Sequence, residues 1–293
     1  MEKGRKRRKK NGYRGKAWVW MLAVLCLAGC GKSKETEEKQ LALRSEGIAK
    51  AQEGDYEGAI DSYEEALQLA DLHAGALERD IAAYKASALY HAGEMQKAID
   101  TFTAILDLKE SAEIYMARGM LYRESEKLTE AKADFTAAVG LTSKKDTLML
   151  GRLSYYMEDY NAAKSYLESA VKSGDREAVY WEAALYWEMG NTEYAITLYQ
   201  DYLSGEAPEH PEAYARVASW QIGQEDYDAA LSTLEAGIAR GESAVLQELL
   251  ANEIAVYEKK SDFETAKLKM ESYLERWPDD EEAQREYLFL KTR

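Results

Sequence analysis

The chain has 293 residues, with 53 acidic and 38 basic side chains, three histidines, three prolines and two cysteines. Nine of the basic residues precede Trp18, so the chain from Cys30 onward holds 52 acidic and 29 basic residues, a net charge of −23. On charge alone, nucleic acid and anionic lipid headgroups are poor partners for such an acidic chain. It favours a partner with a basic surface, although acidic helix faces also serve simply to keep a protein soluble.

The first thirty residues are typical of an export signal. Their nine basic residues are followed by an apolar run over 17–28, which is shorter than the roughly 20 residues that a transmembrane helix needs. The run ends in Leu27-Ala28-Gly29-Cys30, which resembles a lipobox, the cleavage motif of bacterial lipoproteins. We therefore expect residues 1–29 to be removed as a signal peptide and Cys30 to carry a lipid. The alternative is an uncleaved signal anchor with an incidental cysteine.

In either case the basic flank keeps the N-terminus in the cytoplasm, so the rest of the chain is exported. The sequence thus predicts a lipid-anchored protein on the extracytoplasmic face of the cell membrane, and the long basic region is typical of Gram-positive signals. A lipid with two or more acyl chains, such as palmitate, anchors stably. Residues 30–39 are polar, without apolar periodicity, and are expected to form a flexible tether between lipid and fold.

From about Gln40 the sequence repeats. The phrase GDYEGAIDSYEEAL, first seen at Gly54–Leu67, returns in six further versions at steps of 32 to 39 residues. Each copy places an alanine in the same register: Ala59, Ala98, Ala131, Ala163, Ala195, Ala230 and Ala266. A large apolar side chain follows each alanine by four residues, and a small residue precedes it by twelve in every copy but the seventh, which has Ile254. A repeat of this length indicates a stack of helix hairpins.

The small residues predict how the two helices of a hairpin meet. One small residue on each antiparallel helix allows their backbones to approach closely. The turn falls between them, and in three copies it contains a glycine, at Gly54, Gly93 and Gly190. Glycine takes the left-handed conformation that ends a helix, so we expect each of these residues to close the first helix of its hairpin.

At these positions the chain resembles the tetratricopeptide repeat family, more strongly in each second helix than in each first helix. The resemblance implies an all-α fold, a right-handed superhelical solenoid of about seven helix hairpins that holds other proteins or peptides. The copies span about 40–73, 79–111, 112–143, 144–175, 176–209, 211–244 and 247–280. Residues 281–293 follow, with Ala283, Tyr287 and Leu290 at helical spacing, and are expected to form a helix that caps the stack.

In this family the first helix of each hairpin lines a concave groove. Residues fifteen, eleven and eight positions before each phased alanine share one helix face, and in the central copies this face carries aromatic, Met and Arg side chains, which are typical of protein interfaces. The predicted binding residues are Tyr90, Met116, Met120, Arg123, Arg152, Tyr155, Tyr180 and Trp187. Such a groove suits an extended peptide or an amphipathic helix. The alternative is that several of these side chains pack between helices as ordinary core.

No catalytic site, cofactor or metal ion is predicted. His73, His91 and His210 lack the spacing of a metal-binding helix motif, and no cysteine lies near them. The glycine-rich phosphate loops GxxxxGK[ST] and GxGxxG are both absent. The sequence therefore indicates a binding protein and not an enzyme.

Three functions from different classes remain open at this stage. The first is a membrane-anchored scaffold that binds an exported or membrane protein, or a peptide, in the groove. The second is a cell-envelope lipoprotein whose aromatic groove stacks on glycan rings, as in peptidoglycan binding. The third is a lipoprotein subunit of an envelope assembly complex, which the Gram-positive type of signal makes less favoured. The oligomeric state is not predicted.

Overall fold

The structure, a computed structural model, describes residues 33–70, 74–205, 208–241 and 243–293. Within these ranges the secondary structure is entirely helical. The predicted signal peptide and the lipidation site at Cys30 lie outside the described residues. None of the helices in these ranges has the length and apolar character needed to cross a bilayer.

Fourteen helices form seven antiparallel hairpins, and a fifteenth helix follows them. Their bounds are α1 Lys34–Gln52, α2 Tyr56–Gln68, α3 Ala76–His91, α4 Met95–Leu108, α5 Ala112–Glu124, α6 Leu128–Leu141, α7 Thr147–Tyr156, α8 Tyr160–Lys172, α9 Arg176–Glu188, α10 Thr192–Leu203, α11 Glu212–Gly223, α12 Tyr227–Ile238, α13 Leu246–Lys259, α14 Phe263–Arg276 and α15 Glu281–Leu290. Each second helix packs against the first helix of the next hairpin. The predicted solenoid of seven hairpins with a capping helix is confirmed.

The predicted tether is wrong for residues 34–39, which form the start of α1. The side chain of Ser33 caps this helix by accepting a hydrogen bond from the backbone N–H of Thr36 at 3.1 Å. Glu35 and Glu37 lie in the first turn, where negative charge is favourable. Farther along, the buried Gln40 donates from Nε2 to the carbonyl of Ala66 at 2.8 Å, which ties α1 to α2. The acidic residues of the predicted tether therefore stabilise the N-terminal end of α1.

The close approach of the paired helices is confirmed. A Cβ added to Gly151 would lie 2.6 Å from Cδ2 of Leu167, and one added to Gly119 would lie 2.7 Å from Cε1 of Phe135. Real Cβ atoms do not approach side chains this closely. The core is accordingly a series of clusters along the stack, since each phased alanine and the large residue after it pack against the first helix of their own hairpin and that of the next.

The turn inside each hairpin has the same backbone conformation whether or not it contains glycine. Gly54, Gly93 and Gly190 have φ of 81°, 79° and 79°, as predicted. The four other copies place a larger residue there with φ between 59° and 62°: Glu126, Glu158, Glu225 and Ser261. A side chain in this region costs about 1–2 kcal/mol because Cβ crowds the following carbonyl.

We expect Glu225→Gly to raise the free energy of unfolding by roughly 0.5 kcal/mol. The strain removed, about 1–2 kcal/mol, exceeds the roughly 0.5–1 kcal/mol that glycine's extra freedom in the unfolded chain costs. Urea denaturation of the two proteins measures the difference, and Gly93→Ala serves as the reverse control, with an expected loss of stability. A Glu225→Gly protein less stable than the parent would contradict this account of the turn.

The capping helix α15 packs against α14 and lies beside α13. Asp280 caps it by accepting hydrogen bonds from the backbone N–H groups of Glu282 and Ala283, at 3.1 Å and 3.0 Å. At the junction with α13, the carboxyl groups of Glu258 and Glu286 are hydrogen-bonded to each other. Burial, followed by the charge of Glu286, raises the pKa of Glu258 to about 7. Glu258 therefore keeps its proton to a higher pH in the folded chain than in the unfolded chain.

We expect the chain to lose stability as the pH rises through about 7. The ordinary pKa of Glu258 is 4.5, so the folded state holds this proton more tightly than the unfolded state does. The stabilisation is complete below the ordinary value and disappears once Glu258 ionises beside Glu286. Thermal melts measure this: the melting temperature should change less between pH 5.5 and pH 8 for Glu258→Gln than for the parent. An equal difference in both proteins would exclude the proton on Glu258 as its cause, and Glu275→Gln, an exposed change on α14, is the control.

Candidate functional site

The first helices of successive hairpins stand side by side and are joined by polar contacts. Arg44 on α1 pairs with Asp80 on α3, with Nε 2.5 Å from Oδ2. The hydroxyl of Tyr90 on α3 donates to Oε2 of Glu124 on α5 at 2.9 Å. Farther along, Arg152 on α7 donates to Glu177 on α9 at 3.2 Å. These contacts join α1, α3 and α5 on one side and α7 and α9 on the other, and the surface of these first helices is the candidate binding site.

This surface contains a groove of about 600 Å³ between α3 and α5, called here the α3–α5 groove. Tyr84, Tyr90 and Met120 contribute its larger side chains, and Ala83 and Ala117 lie between them. Met120 is 37% exposed although it is apolar. The groove is thus an accessible, mainly apolar depression with aromatic and methionine walls, which is the character expected of a peptide-binding surface.

A smaller recess of about 350 Å³ adjoins the groove, where Met120, Arg123 and Glu124 of α5 face Tyr156 of α7. The side chain of Arg123 is 43% exposed and pairs weakly with Glu158 at 3.9 Å. Its guanidinium lies 5.9 Å from the centre of the Tyr156 ring. Arg123 is therefore held near an aromatic face while it stays available to solvent.

Between α7 and α9 the aromatic side chains form a packed layer. Tyr155 and Tyr156 both meet Trp181 edge to face, with ring centres 5.7 Å and 5.5 Å apart. Tyr180 packs against Trp181 in the same way at 5.3 Å. The guanidinium of Arg152 lies 4.9 Å from the Trp181 ring. Each ring is largely covered by another, so this layer offers a partner little aromatic surface.

The connection between α10 and α11 seals this layer from one side. His210 stacks on Tyr180 with ring centres 3.8 Å apart and planes inclined by 9°. The hydroxyl of Tyr202 accepts from the backbone N–H groups of Glu209 and His210, at 2.7 Å and 3.1 Å, which fixes the connection. Burial lowers the pKa of His210, so its ring is neutral at physiological pH. The neutral ring of His210 therefore covers one face of the Tyr180 ring.

The tyrosines of this region keep their protons. Burial raises the pKa of Tyr156 to about 12, and burial also raises the pKa of Tyr155 and of Tyr180. Their hydroxyls can donate hydrogen bonds but do not supply a base or a nucleophile near neutral pH. In the part of the chain that the structure describes, no three His, Cys, Asp or Glu side chains come together as a metal site. The arrangement is suited to binding.

The structure divides the predicted binding residues among different environments. Tyr90, Met120 and Arg123 meet at the α3–α5 groove and its adjoining recess. Arg152, Tyr155 and Tyr180 lie in the packed aromatic layer. Trp187 is half-buried, with the guanidinium of Arg216 4.9 Å from its ring.

Met116 is not a groove residue. It is 7% exposed and packs in a core cluster with Phe135, Met149 and Leu153. The prediction was wrong because this face of α5 turns towards α6 and α7, whose large apolar side chains cover it. For Met116 the alternative prediction therefore holds, since its side chain packs as ordinary core.

Sequence reasoning missed most of the groove lining. Eight of the lining residues lie eighteen, fourteen, eleven and seven positions before the phased alanine on both helices: Asp80, Tyr84, Ser87 and His91 on α3, and Glu113, Ala117, Met120 and Glu124 on α5. The predicted face used fifteen, eleven and eight positions. All three line the groove on α3, as Ala83, Ser87 and Tyr90, but only Met120, at position eleven, does so on α5. The same helical spacing, started three residues earlier in each repeat, gives positions eighteen, fourteen, eleven and seven and would have found them.

Comparison with protein families agrees with the geometry. A family model described as tetratricopeptide repeat matches residues 44–113 and 148–213, and a second model of the same description matches 112–145. Together they cover more than half of the chain. No curated protein matches it.

Solved structures with the same fold come from distant proteins. A tetratricopeptide repeat protein from Parabacteroides merdae is 18% identical, with a TM-score of 0.50 over 87% of this chain and 100% of its own. Yeast Tom70 is 15% identical, with a TM-score of 0.66 over 94% of this chain and 58% of its own. A chain of the APC/C hetero-tetramer Cut9–Hcn1 is 13% identical, with a TM-score of 0.53 over 96% of this chain and 60% of its own. At such low identity these likenesses show the fold alone.

Proposed function

Because the chain belongs to the tetratricopeptide repeat family, we propose that it is a membrane-anchored scaffold that binds an exported protein or peptide in the groove of its first helices. Repeat solenoids of this kind bind protein partners along an extended surface. The observation that carries the proposal is the α3–α5 groove, with its volume of about 600 Å³ and the exposed side chain of Met120. An accessible and contiguous apolar patch, such as the lining of this groove, marks a place where another molecule docks.

The anchoring part of the proposal rests on the lipobox and on the position of the first helix. Helix α1 begins at Lys34, only four residues after Cys30. Four residues reach at most about 14 Å when fully extended. A lipid on Cys30 would therefore keep the first hairpin within that distance of the membrane, and the α3–α5 groove would lie in the following two hairpins. Partners that reach this groove would be membrane proteins or exported chains close to the membrane.

The glycan-binding alternative receives less support. Stacking on sugar rings needs aromatic faces that are open to solvent. The face of Tyr180 is covered by His210 at 3.8 Å, and Trp181 is buried. In the α3–α5 groove the Tyr84 ring lies 4.7 Å from the guanidinium of Arg44 and the hydroxyl of Tyr90 donates to Glu124, and the rest of the lining is mainly acidic and apolar. This composition favours a protein or peptide.

Photo-crosslinking in cells tests the groove. A photoreactive amino acid replaces Met120 in the full-length chain, and a matched protein carries it at Lys132, which is exposed on α6. We expect the Met120 position to crosslink a defined exported protein that mass spectrometry identifies, and the Lys132 position not to capture it. Equal capture from both positions, or from neither, would contradict binding in the groove.

Incorporation of labelled palmitate tests the anchor separately. The full-length chain should take up the label and sediment with membranes, and Cys30→Ser should lose the label. A Cys30→Ser protein that still carries labelled lipid would contradict lipidation at this residue. An unlabelled parent protein with residue 1 still present would instead establish the uncleaved signal anchor.

A further inference from the structure

We propose that the α3–α5 groove takes a short extended segment of a partner that carries a basic side chain at each end of an apolar stretch. This inference rests on the proposed function and adds the chemistry of the partner. It follows from three properties of the groove: its length, its floor and the position of its charges.

The length of the groove fits about five residues of extended chain. As the first helices of successive hairpins, α3 and α5 run in the same direction, so Asp80 and Glu113 lie at one end while His91 and Glu124 lie at the other. Eleven residues separate the two ends on each helix, which corresponds to about 16 Å along the helix axis. An extended chain rises about 3.3 Å per residue.

The floor between these ends is apolar. Tyr84 and Ala83 contribute from α3, and Ile114, Ala117 and Met120 contribute from α5. The alanines keep the middle of the groove open, while the long side chains form its walls. Met120 can adjust to side chains of different shape because its thioether chain is unbranched and flexible. The middle of the groove therefore suits aliphatic side chains.

The ends of the groove are negative. Asp80 and Glu113 lie at equivalent positions of the repeat, one turn into α3 and in the first turn of α5, and Glu124 lies in the last turn of α5. Glu113 accepts a hydrogen bond from the hydroxyl of Ser111, and Glu124 accepts one from Tyr90. Each of these carboxylates has a second oxygen with which to meet a cation.

The positive charges near the groove do not balance these carboxylates. Arg44 pairs with Asp80 and lies 4.7 Å from the centre of the Tyr84 ring. Arg123 is directed to the adjoining recess, where its partner is Glu158. Burial lowers the pKa of His91, so this ring adds no charge near neutral pH. Three carboxylates and one guanidinium thus lie at the groove, which leaves its ends with a net negative charge.

The charge pattern selects among possible occupants. A segment with lysine or arginine at both ends would form charge-assisted hydrogen bonds with Glu113 and Glu124 while its apolar residues cover the floor. A partner that presents a terminal carboxylate or an acidic segment would be repelled at both ends. The net charge of the chain also draws basic partners towards this surface.

Selection from a random library of twelve-residue peptides tests this, with the full-length chain purified in detergent as the target. We expect the enriched peptides to share two basic residues separated by three or four mainly apolar ones. A synthetic peptide of the enriched sequence should bind at least tenfold more weakly to a Glu113→Gln/Glu124→Gln protein. The matched control, Asp107→Asn/Glu130→Gln, removes two exposed charges from α4 and α6 and should leave the affinity unchanged.

The outcomes separate this inference from the proposed function. Enrichment of acidic or uncharged peptides that compete at Met120 would overturn the inference and leave groove binding in place. Basic peptides that bind equally to the two charge-removed proteins would also overturn it. If no peptide were enriched, both the inference and peptide binding in the groove would fail.

Discussion

Replacing Gly151 with alanine is expected to lower the free energy of unfolding by about 1–3 kcal/mol, the usual cost of overfilling a packed interior. The new methyl group would lie 2.6 Å from Cδ2 and 2.7 Å from Cγ of Leu167, and 3.4 Å from the backbone nitrogen of that residue. Leu167 is fully buried, so it cannot swing into solvent. The contact can be relieved only if α7 and α8 move apart, which weakens the packing of the fourth hairpin against its neighbours.

A matched control comes from a glycine with open space around it. Gly140 is also helical, on α6, and a Cβ there would meet nothing within 4 Å. In the absence of a clash, Gly140→Ala should raise the stability by up to about 1 kcal/mol, the difference in helix propensity between the two residues. The same chemical change is therefore expected to act with opposite sign at the two sites. Urea denaturation measures both.

The double variant Gly151→Ala/Leu167→Ala identifies the cause. If the clash with Leu167 is responsible, the double variant should lose less stability than the sum of the two single variants, because the second change removes the obstacle. Additive losses would mean that Gly151 matters for a different reason. A Gly151→Ala protein as stable as the parent would show that the two helices are not held at the distance seen in the structure.

This glycine also shows why the architecture could be predicted from sequence. Gly151 and Leu167 follow from one physical demand, since two helices that meet closely need a small residue opposite a large one. The demand recurs in six of the seven hairpins, the seventh having Ile254, so it leaves a periodic trace in the sequence. The turn leaves a weaker pattern in the sequence, because it does not require one residue type. Glu158, with φ of 62°, takes the same left-handed conformation as Gly93. Packing of the flanking helices imposes that conformation, and the residue tolerates it.

The groove could be predicted only in part. Tyr90 and Met120 line the groove, whereas Met116, four residues before Met120, is in the core. Both methionines lie on the predicted face of α5, but which of them is covered depends on where α6 and α7 cross it. Helical periodicity fixes relative positions on one helix, and the angle at which a neighbour crosses is set by the whole stack. The acidic ends of the groove were missed for the same reason.

A second large effect is expected at the ion pair of Arg118 and Asp134. Arg118 on α5 donates two parallel hydrogen bonds to Asp134 on α6, each at 2.8 Å, and a third to the hydroxyl of Thr103 on α4 at 2.9 Å. The side chains are only 14% and 6% exposed. The pair therefore joins three helices at the junction of the second and third hairpins, directly behind the α3–α5 groove.

We expect Asp134→Ala to lower the free energy of unfolding by about 3–5 kcal/mol, because it leaves the guanidinium of Arg118 largely buried without a counter-charge. The exposed pair of Lys39 and Glu65, with 3.3 Å between Nζ and Oε1 and both side chains 56% exposed, provides the control. Glu65→Ala should cost no more than about 1 kcal/mol. The apolar double variant Arg118→Met/Asp134→Leu should recover most of the loss, since it removes both charges together. Asp134→Ala and Glu65→Ala proteins of equal stability would show that burial does not set the strength of this pair.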